Sequence, residues 1–189
     1  MACGTLIYDR MRLPSLHRAV SFALQAHSGI DREGSFPLPY VTHPIEVLNN
    51  LRYVGNVTDT ELLCAAVLHD VLEESPIHLE EIQAQFGKRV GLLVQELTRR
   101  EPTLEEVSGL GKSQIWNLRS EILLGEIASM SFEAQTIKLA DRLSNLRQAR
   151  RIKKGEKLKR YMGQTKKILE LVPESVNSGL WTAIRRELQ

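Results

Sequence analysis

Long apolar runs are missing from this 189-residue chain. None approaches the roughly 18 to 20 residues needed to span a bilayer, which excludes a helical membrane protein. Cysteine is scarce: Cys3 and Cys64 stand far apart and can neither staple a small scaffold nor build a zinc finger. Both read as reduced thiols of a cytoplasmic protein, Cys64 being a small core residue within an apolar helical run. No charge sign dominates either. Twenty-five Lys and Arg against 23 Asp and Glu leave +2, which argues against a chain devoted to nucleic acid but permits a local basic pocket. The N-terminal MACGTLIYDRMRLP carries charges where a signal peptide needs an apolar core, which argues against secretion. Strand-type alternation of any length, internal repeats and low-complexity linkers are absent too. What is present is 42% hydrophobic and 25% charged residues, in a length that suits one domain over residues 1–189.

Helical periodicity dominates that composition. Leu16, Ala19, Val20, Ala23 and Leu24 form one apolar face of a helix that Ser15 can cap. The Gly/Pro-rich stretch from Ser28 to Tyr40 must be loop or a short β-hairpin near residues 29–41, because Pro37 and Pro39 forbid a continuous helix. Pro44 suits the first turn of a second helix, with His43 at or beside its N-cap. Thr58 and Glu61 make a capping box for a third, running from Asp59 to about Glu74 and ended by Ser75-Pro76. A fourth runs from His78 to Phe86 and stops at Gly87, a natural left-handed position. Five more follow at 88–99, 113–129, 132–151, 156–172 and 177–188, with one long connection over 100–112. The expected fold is all-α, a helical bundle of about eight to nine helices.

Chemistry gathers in three places. Within AAVLHDVLEES the chain turns abruptly from apolar to polar at His69, Asp70, Glu73 and Glu74. Carboxylates and an imidazole at the end of a buried helix are costly unless a cation compensates them, and a divalent metal would do so. The bland reading is a solvated helix end. In IKLADRLSNLR, Lys138, Asp141 and Asn145 share one helix face while Leu139, Leu143 and Leu146 supply the buried side. That set suits a metal beside a phosphate group; surface pairing of Asp141 with Lys138 or Arg142 is the plain alternative. The third is YVTHP, with His43 at a helix start after an aromatic. Together, His43, His69, Asp70 and Asp141 make a mixed imidazole and carboxylate set, which fits Mn²⁺, Fe²⁺ or Zn²⁺ better than Ca²⁺.

The order His, His-Asp, Asp resembles the HD superfamily of metal-dependent phosphohydrolases, and within it the hydrolase domain of RelA/SpoT-type proteins and the stand-alone small alarmone hydrolases. Four segments carry the likeness: His27 to Arg32, Pro39 to Pro44, Leu68 to Glu74 and Ile137 to Arg147. The resemblance implies a (p)ppGpp 3′-pyrophosphohydrolase of the cytoplasm, with a small nucleotide as substrate and no nucleic-acid or membrane partner. It implies one divalent metal, usually Mn²⁺, on His43, His69, Asp70 and Asp141. It implies that Glu73 and Glu74 orient and deprotonate the attacking water. Arg32 would lie against the purine base, and Asn145 and Lys138 would contact the nucleotide.

Three departures from the family pattern stand out. The second acid of the catalytic pair is Glu74 where the family has Asp, Glu33 replaces a common Lys, and Ile30 a common Gln. No second, synthetase-type domain is expected in this length. Alternatives are hydrolysis of another purine nucleotide, such as (p)ppApp, the 2′-phosphate of NADPH or a nucleoside phosphate, or a nucleotide-sensing module with weakened catalysis. His17 and His78 read as exposed helix histidines, His27 as a loop support, and Trp116 and Trp181 as core or subunit contacts. The basic stretch from Arg150 to Arg160 is either a pocket mouth or a solvated helix face.

Overall fold

The structure, a computed structural model, describes residues 15–34 and 38–189. Cys3, Pro37 and the N-terminal segment therefore lie outside the described residues. Among the described residues there are ten α-helices: α1 (Ser15–Ala26), α2 (Thr42–Asn49), α3 (Thr60–Leu68), α4 (Val71–Glu74), α5 (Leu79–Phe86), α6 (Lys88–Leu97), α7 (Lys112–Ser129), α8 (Phe132–Ile152), α9 (Gly155–Leu171) and α10 (Ser178–Glu187). Since α3 and α4 divide one expected helix, the all-α reading and its count hold.

Two helices organise the rest. Every residue of α3 from Leu62 to Leu68 is buried, so it is apolar all round and sits among α1, α2, α6 and α8. Long α8 buries Ile137, Leu139, Leu143 and Leu146 completely, and packs against α2, α6, α9 and α10. One continuous hydrophobic cluster joins these helices. Burying a Leu or Ile side chain contributes roughly 1.5–3 kcal/mol, so these two helices hold the site's framework rigid.

Local chemistry explains most boundaries, and corrects some. The third helix is capped by Asp59, whose carboxylate accepts from Glu61 N at 2.8 Å and Leu62 N at 3.3 Å; the expected Thr58 box is not formed. That helix also does not run through to Glu74. It breaks at His69-Asp70, where Asp70 takes φ −97°, ψ 0°, and restarts as α4. Leu24 is 56% exposed, so it leaves the apolar face assigned to α1. Gly87 has φ 93° as foreseen, but ψ 161° puts it in an extended region open almost only to glycine, not the left-handed helical one. Among the described residues the expected hairpin is one antiparallel bridge between Asp31 and Pro39, flanked by Arg32 N–H to Leu38 O and Tyr40 N–H to Ile30 O, each 2.8 Å. A π-helical turn, Asn50–Val54, follows α2; its Asn50 donates to Ala140 O at 3.2 Å and so locks α2 onto α8.

Candidate active site

Adjacent residues on a regular helix point about 100° apart, so an unbroken α3 would splay His69 and Asp70 away from one centre. The break between α3 and α4 removes that constraint. His69 Nε2 lies 3.1 Å from Asp70 Oδ2 and 3.8 Å from Asp141 Oδ1. From the start of α2, His43 Nε2 approaches the same two oxygens, at 3.4 and 3.3 Å. Single ligand atoms of His43, His69 and Asp141 all fall within 4.8 Å of one another, and Asp70 Oδ2 sits among them. Four residues from three stretches of chain thus converge as the sequence pattern anticipates.

The opposite edges of both imidazoles are already engaged. His69 Nδ1 faces Ala66 O at 2.8 Å; a carbonyl only accepts, so Nδ1 carries the proton and Nε2 keeps its lone pair. Ser144 donates to Glu46 Oε2 at 2.7 Å, which leaves its oxygen to accept from His43 Nδ1 at 3.2 Å. His69 Nε2 is buried without a hydrogen-bond partner. Two Nε2 lone pairs and two carboxylates aimed at one point are the donor set of a borderline divalent metal, and the residues present fit that group.

Charge around the centre supports the same assignment. Burial alone would lower the His43 pKa, but hydrogen bonds and charge from Asp141 and Asp70 outweigh it and push it up to about 9. Burial works to raise Asp70 and Asp141, yet the neighbouring histidines, and Lys138 beside Asp141, hold both carboxyls below their usual range. Tyr40 donates to Asp70 Oδ2 at 2.7 Å, and Lys138 Nζ is 3.2 Å from Asp141 Oδ2. Two buried carboxylates face one ammonium, and without a metal the proton retained on His43 supplies the second positive charge.

The centre opens into a cleft of about 430 Å³ floored by α8. Glu73 and Glu74 line it. Glu73 is half-buried and accepts from Arg99 N at 2.7 Å; desolvation raises its pKa. Glu74 is exposed. Asn145 lies on the cleft wall and donates to Asp141 Oδ1, so together with Lys138 it also holds that carboxylate in place. Arg32 reaches the cleft while bound to Glu46 (3.1 Å) and Gln148. Glu46 in turn holds Ser144, so a polar chain runs from Arg32 to His43.

Several cleft residues carried no signal in the sequence. Arg99 pairs with Glu73 and Glu101, and Arg119 with Glu101. Arg142 reaches the cleft from the flank of α8 facing α9. Trp116, expected in the core or at a subunit contact, lines the cleft instead; Trp181 packs within the chain and donates to Leu169 O at 3.3 Å. From the basic stretch only Lys153 lines this cleft, 3.5 Å from Glu33, while Arg150 pairs with Glu187 and Lys159 with Glu156. His27 is 2% exposed and rests on the Tyr40 ring at 4.9 Å, supporting the loop as expected; His17 and His78 are exposed. Cys64 is buried and free, and desolvation pushes its thiol up to about 11.

A helical bundle with a buried His, His-Asp, Asp centre defines a class, and comparison with known proteins agrees with it. Residues 19–170 match the HD domain family, and the chain belongs to that family. It is 34% identical over 133 residues to the guanosine-3′,5′-bis(diphosphate) 3′-pyrophosphohydrolase MESH1 of Xenopus tropicalis, covering 70% of this chain and 68% of that one. The Aquifex aeolicus protein of the same activity is 31% identical over 176 residues, which are 92% of this chain but 23% of that longer one. Among solved structures, a metazoan SpoT ortholog that hydrolyses ppGpp superposes with a TM-score of 0.78 at 27% identity, covering 93% of this chain and 94% of the other.

Proposed function

We propose that this protein is a metal-dependent (p)ppGpp 3′-pyrophosphohydrolase that releases pyrophosphate from the 3′ position of the nucleotide. The observation that carries the reading is the convergence of His43 Nε2, His69 Nε2 and the Asp70 and Asp141 carboxylates at the inner end of a cleft lined with cations. The activity of the MESH1 relatives and of the structurally similar SpoT ortholog supports the choice of substrate. His43, His69, Asp70 and Asp141 would hold one divalent ion, with Mn²⁺ the expected metal. When bound, such an ion lowers the pKa of a coordinated water and screens phosphate charge.

The chain's own residues account for the remaining steps. Glu73, with its pKa raised by burial, takes the proton of the attacking water near neutral pH, and Glu74 orients that water from the cleft side. Arg99 fixes the Glu73 carboxylate through its backbone N–H. Lys138 and Asn145 hold Asp141 and face the phosphates. Arg32, held by Glu46 and Gln148, offers a flat cationic surface to the purine. The free, buried Cys64 fits a reducing cytoplasm as the place of action.

The test is pyrophosphate release from ppGpp by Mn²⁺-loaded protein, with Asp70→Ala as control and ppApp and NADPH alongside. Release from ppGpp that vanishes in the variant is the expected result. Turnover of ppApp or NADPH with none of ppGpp would overturn the substrate.

A further inference from the structure

Six cationic side chains other than histidine line the cleft, and five of them have a carboxylate within 4.0 Å: Arg32, Arg99, Arg119, Lys138 and Lys153. Arg142 is the exception. Its residue is 6% exposed, yet among the described residues no carboxylate lies within ion-pair distance. Its hydrogen bonds and its ring contact are to neutral groups, and Asp141 acts on it only from beyond ion-pair distance. Nε donates to Thr165 Oγ1 at 2.9 Å, Nη2 donates to Tyr161 O at 3.0 Å, and the guanidinium lies 3.9 Å from the centre of the Tyr161 ring. Thr165 Oγ1 donates its own proton to Tyr161 O at 2.8 Å, so its oxygen is turned to accept from Arg142. The guanidinium is thereby held in one orientation. A buried cation without an anion is expensive, and it is retained where a bound anion completes it.

Position decides which anion. Asp141, one residue earlier, points to α2 and the α3–α4 break, whereas Arg142 points to α9. The two therefore occupy opposite flanks of the cleft floor. We infer that Arg142 is a phosphate-binding position for the end of the substrate that is not cleaved, the 5′-diphosphate of a nucleoside 3′,5′-bis(diphosphate). This rests on the proposed function for which diphosphate reacts, but not for the existence of the anion position. A guanidinium offers two parallel N–H donors to such a group, which an ammonium cannot do.

The experiment has two arms. In the first, KM and kcat are measured for wild type, Arg142→Lys and Arg142→Gln on 3′-diphosphate guanosines bearing a 5′-diphosphate or a 5′-hydroxyl. The expected result is a KM for the 5′-diphosphate substrate raised about 10- to 100-fold, the range set by a charged hydrogen bond, with kcat nearly unchanged and no comparable rise for the 5′-hydroxyl substrate. In the second arm, GDP is titrated into each protein calorimetrically; the expected result is that both variants bind it correspondingly weakly. Thr165→Val keeps the charge while removing the group that aims it, and should give a smaller loss of the same kind. An equal KM rise for both substrates, or GDP binding indifferent to Arg142, overturns the inference even if melting shows that Arg142 braces α8 against α9. If wild type hydrolyses no 3′-diphosphate, the proposed function falls, while the GDP titration still decides the anion position. Wild-type protein that does not bind GDP overturns it as well.

Discussion

Two ionic clusters join α3 to α8, one at each end of their contact, and water separates their fates. At the helix starts, Arg89 of α6 reaches Asp59, Glu61 and Glu133 at 2.9, 2.7 and 2.7 Å. All four side chains are 38–48% exposed, so solvent screens whatever charge the single guanidinium leaves unmatched. At the other end, His43, His69, Asp70 and Asp141 meet with side chains 1–14% exposed. There, charge imbalance is not screened, and it is settled by a bound cation or, in its absence, by the proton on His43. The first cluster is a surface staple of the kind that contributes little. The second is the candidate site, and the contrast lies in burial, since residue types alone would make both look like salt bridges.

The sharpest way to break this contrast is to remove a buried partner. Asp141→Ala and His69→Ala should each lower hydrolysis at least about a thousandfold, since the charge stabilisation supplied at the centre is worth several kcal/mol. Far-UV circular dichroism should remain that of a helical protein, because the core of α3 and α8 is untouched. Next in size is Glu73→Gln, which should cost about 10²- to 10⁴-fold in kcat as the loss of a general base. Because burial raises the Glu73 pKa, the wild-type acid limb of kcat/KM should lie above the ordinary glutamate value, and the variant should lose that limb.

A third prediction concerns pH in the metal-free protein. His43 has a folded pKa of about 9 against 6.5 unfolded, so the folded state binds the extra proton. Its contribution to stability is complete below about 6.5 and disappears as pH rises through about 9. Denaturant midpoints of metal-free protein should therefore fall over that window. Metal binding must expel that proton, and so should tighten as pH rises. The smallest effect belongs to the exposed cluster. Arg89→Ala should cost at most about 1 kcal/mol, less in high salt, and leave hydrolysis unchanged. A large loss of activity there would erase the distinction drawn between the two ends.

Much of this was legible from residues alone. The four converging residues were legible because each sits in a local pattern: His43 at a helix start after an aromatic, His69 and Asp70 at a polar break in an apolar helix, and Asp141 on a helix face shared with Lys138 and Asn145. The helix break at His69-Asp70 was not legible, because no Gly or Pro marks it; the neighbouring residues favour a continuous helix, and tertiary packing overrides them. Nor was the far wall of the cleft. Trp116 and Arg119 stand on α7 and Tyr161 on α9, and their sequence surroundings are those of ordinary amphipathic helices. Only packing brings them opposite Asp141. Arg142 is the clearest case: in sequence it is an Arg next to an Asp, and only its burial among neutral partners sets it apart.

The central claim is that the buried cluster is a divalent-cation site, and it can be tested without any substrate. Chelator-stripped protein titrated with Mn²⁺ should bind one ion, and its melting temperature should rise with metal concentration as mass action requires. The same titration of Asp141→Ala or His69→Ala should show neither. Wild-type protein that takes up no metal, or variants that bind it as tightly as wild type, would contradict the account.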